Sequence, residues 1–230
     1  MSNPLTVVVG AGPGIGAATA HRFAALGHDV ALVARDADRL AALGTRLQET
    51  GATVGWTACD VTDEAALTAA VSRFAEHSGR LDVLVVNPSR YRAATAPDTS
   101  AADLLADLAV GTAPLLTAVR AALPALRAQR TGTVLATGGG SADRPFPGAA
   151  TLGVQKAALR ALVQALAADL RPDGIHVATV TVRGTVAEGT PFAPDVVAQV
   201  FADLAEQTAS DPAGWHTVVD LTESGVVPVL

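Results

Sequence analysis

Short apolar runs rich in valine, leucine and alanine recur along the chain, separated by longer alanine-rich helical stretches. The runs predict strands over Leu5–Val9, Val30–Ala34, Thr53–Ala58, Leu81–Val86, Thr133–Thr137, Ile175–Val182 and, as the last strand, Trp215–Leu221. Helices are predicted over Gly14–Leu26, Asp36–Glu49, Asp63–His77, Ala101–Leu108, Thr112–Arg130, Ala149–Leu170 and Pro194–Gln207. Strand and helix alternating at this spacing predict an α/β fold with a doubly wound parallel sheet, in one domain over residues 1–230. No internal repeat, low-complexity segment or linker interrupts the pattern. The longest loops, Asn87–Thr99 and Gly138–Gly148, each follow a strand. They are expected at the carboxyl edge of the sheet, where ligands bind in such folds.

Composition narrows the class. Half of the 230 residues are hydrophobic, enough for one sizeable core, and aromatics are only 3%. A net charge of −6 without any basic stripe argues against a nucleic-acid partner. No apolar run is seen that reaches the roughly 18 residues needed to span a bilayer, and Met1 to Gly10 lack the pattern of a signal peptide. The single cysteine, Cys59, has no partner for an internal disulfide and is expected to be a core thiol, so the default location is the cytoplasm. His21, His28, His77, His176 and His216 are scattered without ligand spacing, so no metal site is expected.

The first strand runs directly into Gly10-Ala11-Gly12-Pro13-Gly14-Ile15-Gly16. Glycines let such a turn take positive φ and let backbone approach a phosphate. The helix that follows offers free N–H groups and the positive end of its dipole. This Gly-x-x-x-Gly-x-Gly spacing resembles the short-chain dehydrogenase/reductase family at Gly10, Gly14, Ile15 and Gly16. The resemblance covers nearly the whole chain. Asp60 and Val61 match the family's adenine-contacting position after the third strand. Asn87 matches the asparagine after the fourth strand. Pro124 stands at a Leu-Pro position that closes a helix. Lys156 opens the Lys-Ala-Ala-Leu stretch of the active-site helix, and Gly184 with Val186 resembles the Pro-Gly-x-Val segment, Arg183 replacing its proline. The resemblance implies a nicotinamide dinucleotide cofactor, a small-molecule substrate, and a homodimer or homotetramer built on the Thr112–Arg130 and Ala149–Leu170 helices.

Two features set this chain apart. An acidic residue at the tip of the second strand, about 20 residues beyond the glycines, would bind the ribose 2′-OH of NAD. Here Ala34 occupies the tip and Arg35 follows, and a guanidinium suits a 2′-phosphate. NADP(H) is therefore expected over NAD, while Asp36 would cap the next helix, or would reverse the preference if the strand ended later. The second feature is the catalytic set. The resemblance implies Tyr-x-x-x-Lys with a supporting serine and asparagine. Lys156 is present, but Leu152 stands for the tyrosine, Gly139 for the serine and Gly111 for the asparagine.

Leucine donates no proton, so candidate substitutes matter. Tyr91 is the only tyrosine and lies in the loop after the fourth strand, beside Ser89, Arg90 and Arg92. It is either a catalytic replacement or an exposed loop aromatic. Asp143 and Arg144 either act on substrate or form a surface ion pair. Glu188 and Thr190 fall in a short segment that borders the nicotinamide in the family. Lys156 retains the family's role of holding ribose hydroxyls. Three functions follow: an NADP(H) oxidoreductase with an atypical proton donor, a non-redox cyclase, dehydratase or isomerase on the same fold, or a catalytically silent nucleotide-binding partner. The apolar tail Gly225–Leu230 is expected to fold back or to be covered by a partner subunit.

Overall fold

A computed structural model describes residues 3–209 and 211–229. Among the described residues, seven α-helices surround one eight-stranded sheet of order β3-β2-β1-β4-β5-β6-β7-β8. The strands are β1 (Leu5–Val9), β2 (Asp29–Ala34), β3 (Val54–Ala58), β4 (Val83–Val86), β5 (Gly132–Thr137), β6 (Ile175–Val182), β7 (Val218–Thr222) and β8 (Gly225–Pro228). The helices are α1 (Ile15–Ala25), α2 (Ala37–Glu49), α3 (Glu64–Ser78), α4 (Ala101–Gly111), α5 (Ala113–Gln129), α6 (Ala150–Leu170) and α7 (Pro194–Glu206). Neighbours through β7 are parallel. The order reverses between β1 and β4, the point at which doubly wound sheets open a binding crevice.

The central strands are buried at every position, as strands covered on both faces must be. Leu67, Leu115, Leu126, Leu159 and Val163 of α3, α5 and α6 pack on one face. Phe23 of α1 and Val197 and Phe201 of α7 cover the other, with Leu40, Leu43 and Leu47 of α2 continuing that layer towards the edge. Local chemistry sets the helix starts. Asp36 caps α2 by accepting from Arg39 N at 3.0 Å, Asp63 caps α3 through Ala66 N at 2.9 Å, and Ser100 caps α4 through Asp103 N at 3.0 Å.

Several boundaries differ from the sequence reading. β4 begins at Val83: Leu81 N is taken by the Gln129 side chain at 2.7 Å, and Asp82, whose carboxylate binds Arg80 and Leu5 N, adds only the first ladder bonds, to Leu5 O and from Thr133 N. Pro124 lies inside α5, which runs on to Gln129 and stops where Arg130 turns to φ 55°. Trp215 is not a strand residue. Its indole N–H donates to Gln207 O at 2.8 Å, and β7 starts at Val218.

The last strand is β8, which folds back antiparallel on β7 and places part of the apolar tail on the sheet edge; Leu230 lies outside the described residues. The register pairs Asp220 with Val227, and Val229 N donates to Val218 O at 2.9 Å, which turns Val226 and Pro228 to the free side. A proline there offers no N–H, a common way of blunting a sheet edge.

One expectation about membranes needs correction. The stretch Ala101–Gln129, 29 residues of mean hydropathy 1.4 in its best window, is long and apolar enough to cross a bilayer by length and composition alone. It is not one straight rod. Thr112, at φ −135° and ψ −55°, breaks it into α4 and α5, and α4 carries the fully buried, arginine-bound Asp107. Within the stretch, 33% of the most apolar window is buried in the fold.

Trp56 on β3 lies flat against Gly44 of α2, where a Cβ would come within 2.2 Å of the indole ring. Gly44→Val should therefore lower the stability measured by urea denaturation by about 1–3 kcal/mol. An unchanged midpoint would mean that β3 moves freely away from α2.

Candidate functional site

The glycine turn follows β1 with the geometry an anion site requires. Gly10 and Gly14 hold φ of 85° and 89°, which side-chain-bearing residues rarely adopt. A Cβ on Gly16 would lie 2.2 Å from Gly10 O, so helix and turn touch backbone to backbone. Gly10 N and Ala11 N both donate to Val33 O, at 2.8 and 3.1 Å, locking the turn to β2. Helix α1 opens at Ile15 with no side-chain cap and no acidic residue in its first turn. Its leading N–H groups and positive dipole end are therefore left for a ligand. These features fit the pyrophosphate of a dinucleotide.

At the tip of β2, Ala34 is the last strand residue, and Arg35 is exposed and in no ion pair among the described residues. Asp36 is committed to the α2 cap and to Arg39 Nε at 3.2 Å. Asp60 sits at the end of β3. Hydrogen bonds from Thr62 N and then Thr62 Oγ1, at 2.9 and 2.8 Å, hold its carboxyl below the usual range, with Arg35 adding to the effect. Val61 is buried in the core beneath it, and so is Cys59, whose thiol is pushed up by burial.

A chain of hydrogen bonds then crosses the carboxyl edge. Asn87 Nδ2 donates to Gly10 O at 3.2 Å, and Thr137 Oγ1 donates to Asn87 Oδ1 at 2.7 Å. Lys156 Nζ donates to Thr137 O at 2.7 Å. The ends of β1, β4 and β5 and helix α6 are thus tied together around one ammonium group. Lys156 is 6% exposed, and burial lowers its pKa to about 8. It is also the only lysine in the sequence, among fifteen arginines, a compositional signal that motif reading passed over.

The positions around Lys156 define the rest of the site. Leu152, one turn earlier on α6, is half-buried and offers no hydrogen-bonding group. At Gly139 there is room for a side chain: an added Cβ would sit 3.5 Å from Lys156 Cγ and 3.7 Å from Ser141 Oγ. At Gly111 there is none, because a Cβ would lie 2.0 Å from Gln155 Oε1. The buried Gln155 amide fills that space. It accepts from Arg90 N at 3.1 Å and donates to Arg90 O at 2.9 Å, pinning the loop after β4. No sequence motif pointed to Gln155.

Other candidates have structural partners. Asp107 is gripped by Arg92 Nε at 2.8 Å and by Arg90 Nε at 3.3 Å, so both arginines brace the loop against α4. Asp143 pairs not with Arg144 but with Arg160 and Arg183. Hydrogen bonds from Arg160 and then Arg183 hold its carboxyl down at about 2. Arg183 also reaches Asp220 Oδ2 at 2.7 Å, and its N–H donates to Leu221 O at 2.9 Å, a bond that a proline there would forfeit. Gly184 lies under the Phe192 ring, with 2.1 Å between an added Cβ and that ring, while Val186 is exposed in the loop beyond. Glu188 is exposed, and Thr190 Oγ1 is spent on Ala187 O at 2.8 Å. Tyr91 is 65% exposed and makes no hydrogen bond among the described residues. Nor do the described residues hold any cluster of His, Cys, Asp or Glu suited to a metal. Two clefts of about 410 and 610 Å³ share His28 and open at the amino edge of the sheet, away from the glycine turn.

Residues 4–196 match the short chain dehydrogenase family. The chain belongs to that family. Among curated relatives it is 33% identical over 192 residues to the (2S)-[(R)-hydroxy(phenyl)methyl]succinyl-CoA dehydrogenase subunit BbsC of Thauera aromatica, covering 82% of this chain and 75% of that one. Among solved structures it is similar to a metagenomic short-chain oxidoreductase in complex with NADP, with a TM-score of 0.84, 28% identity and coverage of 96% and 98% of the two chains. The fold is also that of an NADPH-bound short chain oxidoreductase of Pseudomonas aeruginosa with an atypical catalytic centre, at a TM-score of 0.85, 23% identity and coverage of 96% and 97%. This member of the short chain dehydrogenase family therefore has the sheet topology and the family assignment that its sequence implied.

The Gln155 amide generates a test. Gly111→Asn should cost about 1–3 kcal/mol of stability by displacing it. Combining Gly111→Asn with Gln155→Ala should show a coupling above about 0.5 kcal/mol in a double-mutant cycle. Strict additivity would mean that the two side chains do not compete for one space.

Proposed function

We propose that this chain, acting as one dinucleotide-binding domain over residues 1–230, is an NADP(H)-dependent oxidoreductase acting on a small organic carbonyl or alcohol, with a proton donor other than tyrosine. The observation that carries the reading is the division of labour at the tip of β2. Asp36 is engaged in capping α2, which leaves Arg35 as the free charged group where a 2′-phosphate would lie. The NADP bound by the metagenomic relative supports it. Gly10, Gly14, Ile15 and Gly16 would hold the pyrophosphate, Asp60 and Val61 would flank the adenine, and Asn87, Gly184 and Val186 would border the nicotinamide. Lys156 would hold the ribose hydroxyls. The bound dinucleotide supplies or accepts the hydride, and the chain positions it and excludes water. The curated relative is named as a dehydrogenase of a hydroxy(phenyl)methyl-substituted succinyl-CoA, which supports a secondary alcohol or its ketone as the reacting group.

Leu152 gives the non-redox and silent-partner readings their weight, and cofactor specificity together with turnover separates them. NADPH should bind more tightly than NADH in calorimetric titration, by roughly 10- to 100-fold if the guanidinium contributes about 1.5–3 kcal/mol. Arg35→Ala should remove most of that difference while leaving NADH affinity within about threefold. Equal affinities in the unaltered chain would sink the assignment of Arg35.

We further propose a homodimer or homotetramer built on α4, α5 and α6, where Leu105, Leu116 and Val154 stand exposed. Light scattering at micromolar concentration should give at least twice the chain mass of 23.1 kDa. A monomer would refute this assembly.

A further inference from the structure

Fifteen arginines and one lysine make an uneven pairing of cations. Arginine forms every ion pair to a carboxylate among the described residues. The single lysine is kept where its side chain is almost wholly buried and touches no carboxylate. Arginine stays charged at any working pH, whereas a buried lysine titrates. A protonated Nζ has three N–H groups, and among the described residues only one is engaged, by Thr137 O. The other two have no partner in a buried place, which is the mark of a group waiting for a ligand. Beside the lysine stem, Gly139 carries no side chain, and a Cβ added there would sit 3.5 Å from Lys156 Cγ in ordinary contact, so the place of one side chain is left for a substrate carbonyl; Leu152 forms an apolar wall one turn away.

We propose that Lys156 is itself the catalytic acid and base of this chain, giving a proton to the substrate oxygen in reduction and taking it back in oxidation. The inference rests on the redox reading above and adds to the ribose contact: one free N–H faces the ribose, the other the substrate. In the reducing direction the carbonyl carbon accepts a hydride, with its electron pair, from the reduced nicotinamide dinucleotide. The C=O π pair moves to the oxygen, and the oxygen takes a proton from the Nζ ammonium. The products are the alcohol, the oxidised dinucleotide and a neutral amine, which regains its proton from water.

Thr137 is the positioning residue. Its carbonyl holds Nζ, and its hydroxyl fixes the peptide through Asn87. Burial brings the ammonium to about 8, within reach of neutral pH, as a general acid requires. No neighbouring charge sets this value. On the elements packed around Lys156, Asp107 is held by Arg90 and Arg92, and Asp143 is held by Arg160 and Arg183. Arg171, Asp173 and His176 lie at the amino-edge end of α6 and β6.

A lone lysine makes the test direct. Protein labelled with [¹³C]lysine gives one Cε signal to follow from pH 6 to 11. An inflection within about one unit of 8 is expected, and one at or above about 10 overturns the proposal. Stopped-flow oxidation of NADPH by a panel of ketones and quinones then reads the chemistry. Reduction in the unaltered chain should slow above the lysine inflection, and the reverse reaction should quicken. Lys156→Arg keeps the charge, and Lys156→Met keeps the stem should the arginine disturb folding. Whichever variant keeps the thermal unfolding profile should lose about 100-fold or more in rate. Unchanged rates in a folded variant overturn the proton role and leave the oxidoreductase reading standing. Failure of the unaltered chain to oxidise NADPH with any acceptor would overturn both.

Discussion

The linkage from Lys156 through Thr137 and Asn87 to the carbonyl of Gly10 is the constraint on which the rest of the site depends. It joins four elements distant in sequence: the turn after β1, the ends of β4 and β5, and the second turn of α6. Its two outer links end on the Gly10 and Thr137 carbonyls, and the middle one joins two side chains at the strand ends. Because Gly10 is fixed by the Val33 carbonyl on one side and faces the Asn87 amide on the other, the phosphate turn and the buried ammonium are held in one frame. A dinucleotide bound as proposed would meet both ends of this frame at once, which is how a preformed site lowers the entropic cost of binding.

Much of the fold was legible because it rests on short-range chemistry. Apolar runs such as Leu5–Val9 and Ile175–Val182 are strands with the predicted bounds. Asp36, Asp63 and Ser100 start their helices through their own side chains. What the pattern missed depends on contacts made far along the chain. β4 starts two residues late, with Leu81 N bound by the side chain of Gln129, far along the chain. Trp215 reads as strand by its apolar neighbours, yet its indole is drawn to Gln207. β8 is four residues long, and only its pairing with β7 makes it a strand at all.

The site divides along the same line. The glycine turn, Asn87 and Lys156 were legible because their spacing carries the resemblance. Leu152, Gly139 and Gly111 were legible as departures from it, but what replaces them was not. Gly111 read as the loss of a polar side chain, whereas Gln155 brings an amide to the same space from α6 and uses it to hold Arg90. Gly139 read the same way, and there a Cβ would fit at ordinary contact with Lys156 and Ser141. Asp143 and Arg144 are adjacent in sequence, but Asp143 finds its arginines on α6 and beyond β6. Tyr91, the only tyrosine, read either as a replacement acid or as an exposed loop aromatic, and its side chain is 65% exposed. These differences come from side chains meeting across the carboxyl edge, which no local pattern encodes.

The account's central claim is that a buried lysine, freed of its usual tyrosine, faces both the cofactor ribose and the substrate. The most direct measurement is a crystal structure of the NADP⁺ complex with a bound alcohol or ketone ligand. The account predicts Lys156 Nζ within hydrogen-bond distance, about 2.7–3.2 Å, of a ribose hydroxyl and of the ligand oxygen, with Arg35 on the 2′-phosphate. A ligand oxygen bonded instead to Tyr91 or to an ordered hydroxyl in the Gly138–Gly148 loop, with Lys156 reaching only Thr137 O, would contradict it.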